Sequence, residues 1–227
     1  MISIIIPVHN KIHAVCGCID SALEQDVEKE IIIISDGSTD GSDDAIDQYR
    51  DKVYKILTHE RPYGPCFCRN IGKAHARGKY LLFCDGDCVL TPGVCNRMQS
   101  QLEVAPEYAF VYGDYERIGA FDDRPFKSFI FNPDRLMEAN YISTVSLIRA
   151  NIAPKWDEEL GRCQDWDYWL TVWENGGIGY YLNETIFTAY YRPLDISCRG
   201  TADYKYWVMK VAQKHLPIIQ KKFAGDE

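Results

Sequence analysis

Short apolar runs alternate with helix-period stretches through residues 1–90. Residues 2–8 (ISIIIPV), 30–35 (EIIIIS) and 80–84 (YLLFC) are continuous apolar runs, each one strand long. Runs apolar on both faces suit a parallel sheet covered by helices on each side. Residues 53–57 form a further strand candidate. Val15, Ile19, Ala22 and Leu23 recur at i, i+4, i+7 and i+8, the single apolar stripe of a helix. Residues 42–49 follow a Gly/Ser/Asp turn as a second helix, and 65–77 form a third that Gly78 ends. The order β-α-β-α-β-α-β predicts an open, doubly wound, nucleotide-binding half.

The pattern is less regular afterwards. Residues 92–104 read as a helix with Pro92 in its first turn, and 110–115 as a strand. Residues 121–136 are rich in Phe, Asp, Pro and Arg and read as a long loop, with 121–131 a candidate flap. Residues 144–149 return as a strand. Residues 165–174 form an aromatic-rich helix that 175–177 end. Residues 178–182 and 185–191 read as two strands, and 203–223 as a terminal helix interrupted by Pro217. No internal repeat or low-complexity linker divides the chain. One domain over 1–227 is expected: a nucleotide-binding half (1–90), a second half (91–200) and a C-terminal helix (201–227).

Composition narrows the function. The chain is acidic, with formal net charge −8, and carries no Lys/Arg block, so a nucleic-acid partner is not expected. An acidic chain that handles an anionic nucleotide needs local compensation from a divalent cation, helix N-termini and placed basic side chains. Its nine cysteines form no zinc-spaced pairs, and they read as reduced thiols in a cytoplasmic protein. Residues 1–8 have no charged leader, and no apolar run approaches the ~20 residues that span a bilayer. A soluble protein, at most peripheral to the inner face of the membrane, is expected. Residues 204–223 mix Trp207, Val211 and Ile218 with five lysines. They fit an anionic membrane surface or an amphipathic helix packed on its own domain.

In open α/β sheets ligands bind beyond the carboxyl ends of the strands. Here those ends read Pro7, Val8, His9, Asn10; then Asp36 with its Gly/Ser/Thr loop; then Asp85, Gly86, Asp87. The Asp85, Gly86, Asp87 triplet reads as an acidic turn or as a site for Mg²⁺ or Mn²⁺ shared with substrate phosphates, with a glycine that admits close approach. Its place directly after a buried strand favours the site. Asp36 suits a helix-capping loop or a partner for a base or ribose. Asp165 suits a favourable helix-start charge or a general base.

Four motifs occur in order: SIIIPVHN, IIIISDGSTDGS, CRNIGKAHARGKYLLFCDGD and QDWDYWL. Together they resemble the family 2 glycosyltransferases of the GT-A fold, over roughly residues 1–195. The resemblance implies a Rossmann-like, mostly parallel sheet flanked by helices, with a smaller mixed acceptor-side lobe. It implies an inverting enzyme of polysaccharide biosynthesis that moves a sugar from a nucleoside diphosphate, by default UDP, to a hydroxyl of a glycan or lipid-linked saccharide. It places Pro7, His9, Asn10 and Asp36 around the base and ribose, and Arg69 near the base or phosphates. Asp85 and Gly86 then lie at the ribose or sugar, Asp87 on the metal (Mn²⁺ or Mg²⁺) and Arg192 at the diphosphate. Asp165 is the catalytic base. Three positions depart from the family habit: His9 replaces an aromatic residue, Cys88 an Asp and Gln164 a Glu. Two other readings compete. One is a non-catalytic binding relic of the same fold. The other is a sugar nucleotidyltransferase, which would resemble a chain with a Gly-rich basic loop where PVHN stands.

Overall fold

The computed structural model describes residues 1–119, 123–192 and 201–223, with side chains between 203 and 217 in the last helix. Strand β1 (Ile2–Val8) is buried along its whole length. It pairs in parallel with β2 (Lys29–Asp36) and β4 (Tyr80–Phe83), and β2 pairs in parallel with β3 (Lys55–His59). Strand β7 (Leu147–Arg149) runs antiparallel to β4 and to β6 (Phe110–Ile118). Strand β6 is parallel to β8 (Gly179–Tyr190), and β5 (Cys88–Leu90) closes that edge antiparallel to β8. The order is β3-β2-β1-β4-β7-β6-β8-β5, a mixed α/β sheet whose β3-β2-β1-β4 side is wholly parallel.

Alternation along β1 explains its double burial. Ile2, Ile4, Ile6 and Val8 face a core built with α1 (Val15–Leu23) and α4 (Val94–Val104). Ile5 faces the other core, built with α3 (Pro65–His75) and α6 (Gln164–Glu174), whose Trp166 and Trp169 fill it. Helix α2 (Ser42–Asp47) is a short piece against α1, and α7 (Thr201–Phe223) packs on α6.

Several expectations change. The two strands at 178–182 and 185–191 are one strand, β8. Its register against β6 shifts at Asp114, so Asn183 and Glu184 form a bulge where a turn was expected. The stretch 121–136 contains the start of a helix, α5 (Pro133–Glu138), capped by the Asn132 side chain accepting from Arg135 N–H at 3.1 Å. Of the candidate flap, Phe121 and Asp122 lie outside the described residues. From Phe126 the segment is tied down: Phe126 exchanges backbone bonds with Tyr115, and Ser128 N–H donates to the buried Asp114. Helix α4 starts after Gly93, whose left-handed backbone (φ 69°) sets its cap, and so it excludes Pro92. Pro217 lies inside α7 without interrupting it. The carbonyl it deprives belongs to Gln213, an exposed residue that water can reach. Every described cysteine is a free thiol, most of them buried. Among the described residues no helix is long and apolar enough to cross a membrane.

Candidate active site

The end of β1 is locked to the loop after β2. Asn10 has a left-handed backbone (φ 54°), which Asn tolerates better than most residues. Its N–H donates to Ser38 Oγ at 3.1 Å, and its side-chain oxygen accepts from Thr39 N–H at 2.8 Å. Arg192 donates to the Asn10 carbonyl from the far end of the chain. His9 Nδ1 donates to the Asp36 carbonyl at 2.7 Å.

Asp36 ends β2 and is buried. Its carboxylate accepts from Tyr63 N–H at 2.9 Å and Gly64 N–H at 2.8 Å, folding residues 61–64 over the start of α3. Asp36 thus shapes the wall of the cleft, while the N-caps of α2 and α3 are Gly41 and Gly64, neither with a side-chain capping bond.

The acidic triplet follows β4. Gly86 N–H donates to the Pro7 carbonyl at 3.2 Å, and a Cβ on Gly86 would lie 3.1 Å from Val8 Cγ2, a tight contact that a side chain there would have to push back. Arg69, buried on α3, donates to Asp85 Oδ1 at 2.6 Å and lies 4.5 Å above the Trp156 ring. Burial works against its charge, but Asp85, with Cys66 and Asp165 adding to it, outweighs burial and holds the guanidinium above its ordinary range. Arg69 also reaches Gln164 Oε1 at 3.3 Å, so the amide keeps a contact that a carboxylate would make. Lys11 Nζ stands 2.5 Å from Asp87 Oδ2. Cys88, buried in β5, donates its thiol to Asp87 Oδ1 at 3.6 Å; burial pushes that thiol far up, so it stays neutral.

Helix α6 starts after Cys163, a non-glycine residue in left-handed backbone (φ 57°). Asp165 lies in its first turn. Asp165 Oδ1 accepts from Trp166 N–H at 3.0 Å, and Oδ2 from Asn140 Nδ2 at 2.8 Å. Burial raises its pKa, and the Trp166 N–H and the Arg69 charge offset only part of that. Asp167, two residues on, is buried against Lys214 and His215 of α7 and does not line the cleft.

Pro7, His9, Asn10, Asp36 and Arg69 line one cleft of about 1770 Å³ together with Asp85, Gly86, Asp87, Asp165 and Arg192. Ligand pockets for one small molecule run to about 1000 Å³, so this cleft has room for a donor and the end of an acceptor. Two contributors were not singled out from sequence. Lys11 follows PVHN at a strand end, which is a usable signal. Asn140 sits in irregular chain with none.

A hard divalent cation needs oxygen ligands. Asp85 and Asp87 both line the cleft and offer carboxylate oxygens, so the donor set fits such an ion. Among the described residues, one trio of potential ligand atoms lies within 4.8 Å: Asp36, His59 and Cys68. It suits a hard cation poorly. The Asp36 oxygens already accept two N–H groups, and burial and the Asp36 charge push the Cys68 thiol up, keeping it protonated.

A parallel half with an acidic triplet at its strand ends, joined to a half with mixed strands, defines the GT-A fold. Residues 3–153 match the glycosyl transferase family 2 domain, and the chain belongs to that family. It is 29% identical over 121 residues to the Escherichia coli UDP-Glc:alpha-D-GlcNAc-diphosphoundecaprenol beta-1,3-glucosyltransferase WfgD, covering 52% of this chain and 47% of that protein. Staphylococcus aureus TarS in complex with UDP-GlcNAc superposes with a TM-score of 0.78 at 18% identity, covering 92% of this chain and 64% of that chain. The mannosyltransferase PcManGT from Pyrobaculum calidifontis, in complex with GDP-Man and Mn²⁺, gives 0.63 at 13% identity, covering 82% and 56%. These two likenesses are of fold. The chain spans 26% to 31% of the length of the first curated relatives it matches, uncharacterized glycosyltransferases of Rickettsia species.

Proposed function

We propose that this protein transfers a sugar from a nucleoside diphosphate donor, by preference a UDP-sugar, to an acceptor hydroxyl with inversion at the anomeric carbon. The observation that carries this reading is Asp165. Its carboxylate is held by Asn140 and the Trp166 N–H, is raised in pKa by burial, and opens into the cleft that Asp36, Asp85 and Asp87 line. In the proposed step Asp165 takes the acceptor hydroxyl proton. The acceptor oxygen bonds to the anomeric carbon as the bond to the diphosphate oxygen breaks, and the nucleoside diphosphate leaves with that electron pair. A raised pKa suits a group that ends the step protonated. Pro7, His9, Asn10 and the loop held by Asp36 form the base and ribose wall. Arg69 keeps Asp85 in place, and Arg192 stands by for the diphosphate. Asp87 would hold Mn²⁺ or Mg²⁺, which when bound supplies positive charge to the departing diphosphate. No paired carboxylic acid is needed, unlike in a glycoside hydrolase, because the leaving group is already a good anion.

The UDP preference rests on UDP-Glc in the name of WfgD and on the complex of TarS with UDP-GlcNAc. A glycan or lipid-linked acceptor is proposed from the diphosphoundecaprenol substrate in the WfgD name. Contact of α7 with an anionic membrane surface belongs to the same reading and is supported by exposed Tyr206 and Met209 beside Lys205. Co-sedimentation with anionic but not neutral vesicles is expected; equal recovery with both removes that contact.

The reaction is tested by UDP release from UDP-glucose and UDP-GlcNAc with Mn²⁺, water serving as acceptor. Asp165→Asn should lose about 10²–10⁴-fold in turnover while keeping UDP affinity. Turnover equal to the parent protein's removes Asp165 as the base.

A further inference from the structure

Each carboxylate of the acidic triplet faces a cation of the chain itself. Asp85 takes Arg69 at 2.6 Å, and Asp87 takes Lys11 at 2.5 Å. The second pair is well sheltered, with side chains only 17% and 14% exposed. Lys11 is also delivered by a built loop. Its N–H donates to Ser42 Oγ at 2.9 Å, and its neighbour Asn10 is pinned by Ser38, Thr39 and Arg192. The ammonium therefore stands in the place a metal on Asp87 would need.

We propose that Lys11 is the resident counter-ion of Asp87 in the donor-free protein and makes metal and donor binding mutually dependent. This rests on the glycosyltransferase reading above. A divalent cation arriving alone meets the like charge of Lys11 at Asp87 Oδ2. A diphosphate arriving alone meets the two carboxylates. When both arrive, the Lys11 ammonium turns from Asp87 to a phosphate oxygen, and Asp87 is released to the metal. Each ligand thus raises the affinity of the other by the same factor, as linkage requires. Arg69 does not share this role: it is buried under the site and remains on Asp85.

The test is Mn²⁺ binding, followed by the electron paramagnetic resonance signal of free Mn²⁺, with no nucleotide present. Lys11→Met should bind Mn²⁺ about tenfold more tightly than the parent protein, within the usual range of such couplings. Lys11→Arg, which keeps the charge, should behave like the parent; Lys11→Gln serves if the methionine variant does not fold. In a second arm, calorimetry with UDP at saturating Mn²⁺ should show about tenfold weaker UDP binding by Lys11→Met. Equal Mn²⁺ affinity in the parent and Lys11→Met overturns the role of Lys11, and continued UDP binding would then leave the donor reading standing. No UDP binding by any of the proteins overturns the donor reading and this proposal with it.

Discussion

Three of the carboxylates that line the cleft differ sharply in their surroundings. Asp36 is spent on two backbone N–H groups, Asp87 faces Lys11, and Asp165 is left with a raised pKa. The raised value has a sign consequence. A general base works ionised, so turnover should fall as pH drops through the Asp165 value, with an acid limb above the ordinary carboxylate range. Asn140 donates to the ionised form and favours it. Asn140→Ala should therefore lower turnover and move that limb to still higher pH, with UDP affinity unchanged. An unmoved limb would show that Asn140 does not position the base. Much of this scale was legible in the sequence: a residue type at a strand end names a candidate. Its task was not, because Asn140 and the Tyr63 and Gly64 N–H groups reach their carboxylates across long sequence separations.

At the scale of elements, α7 is clasped to α6 by a charge cluster centred on the buried His215 and Asp167. His215 lies between Asp167 Oδ1 at 2.9 Å and Glu174 Oε1 at 2.6 Å, and Lys214 bridges Asp157 and Asp167. Tyr204 and Val208 of the same helix line the cleft, so the clasp sets one wall of it. Burial opposes the His215 charge, but its bonds to Asp167 and Glu174 outweigh burial and raise the pKa. Stability from this group is full below the unfolded histidine value of about 6.5 and is lost as pH rises through the raised one. His215→Ala should cost about 3 kcal/mol near pH 6, and less at alkaline pH, by denaturant unfolding. A cost that does not change with pH contradicts the clasp. Sequence showed an aromatic helix with acidic residues and a lysine-rich helix, but could not pair them. Long periodic elements such as α3 and α6 were readable to within a few residues. The three-residue β5 and the six-residue α5 carry too few positions for a period, and the β8 bulge mimics a turn.

Across the whole molecule, the parallel half was foreseeable because strands buried on both faces leave an unbroken apolar signature. The continuation β4-β7-β6-β8-β5 was not, since which strands pair antiparallel depends on distant partners, not local pattern. The architecture brings the ends of β1, β2 and β4 and the start of α6 to one cleft, and the account stands on that cleft binding a nucleoside diphosphate. The most direct measurement is a thermal-shift screen of UDP, GDP, CDP and dTDP, each with and without Mn²⁺. UDP with Mn²⁺ at about a hundred times its dissociation constant should raise Tm by roughly 5 °C or more, with a smaller rise when Mn²⁺ is left out. No rise with any nucleoside diphosphate under either condition would contradict the account and leave a binding relic of the fold as the better reading.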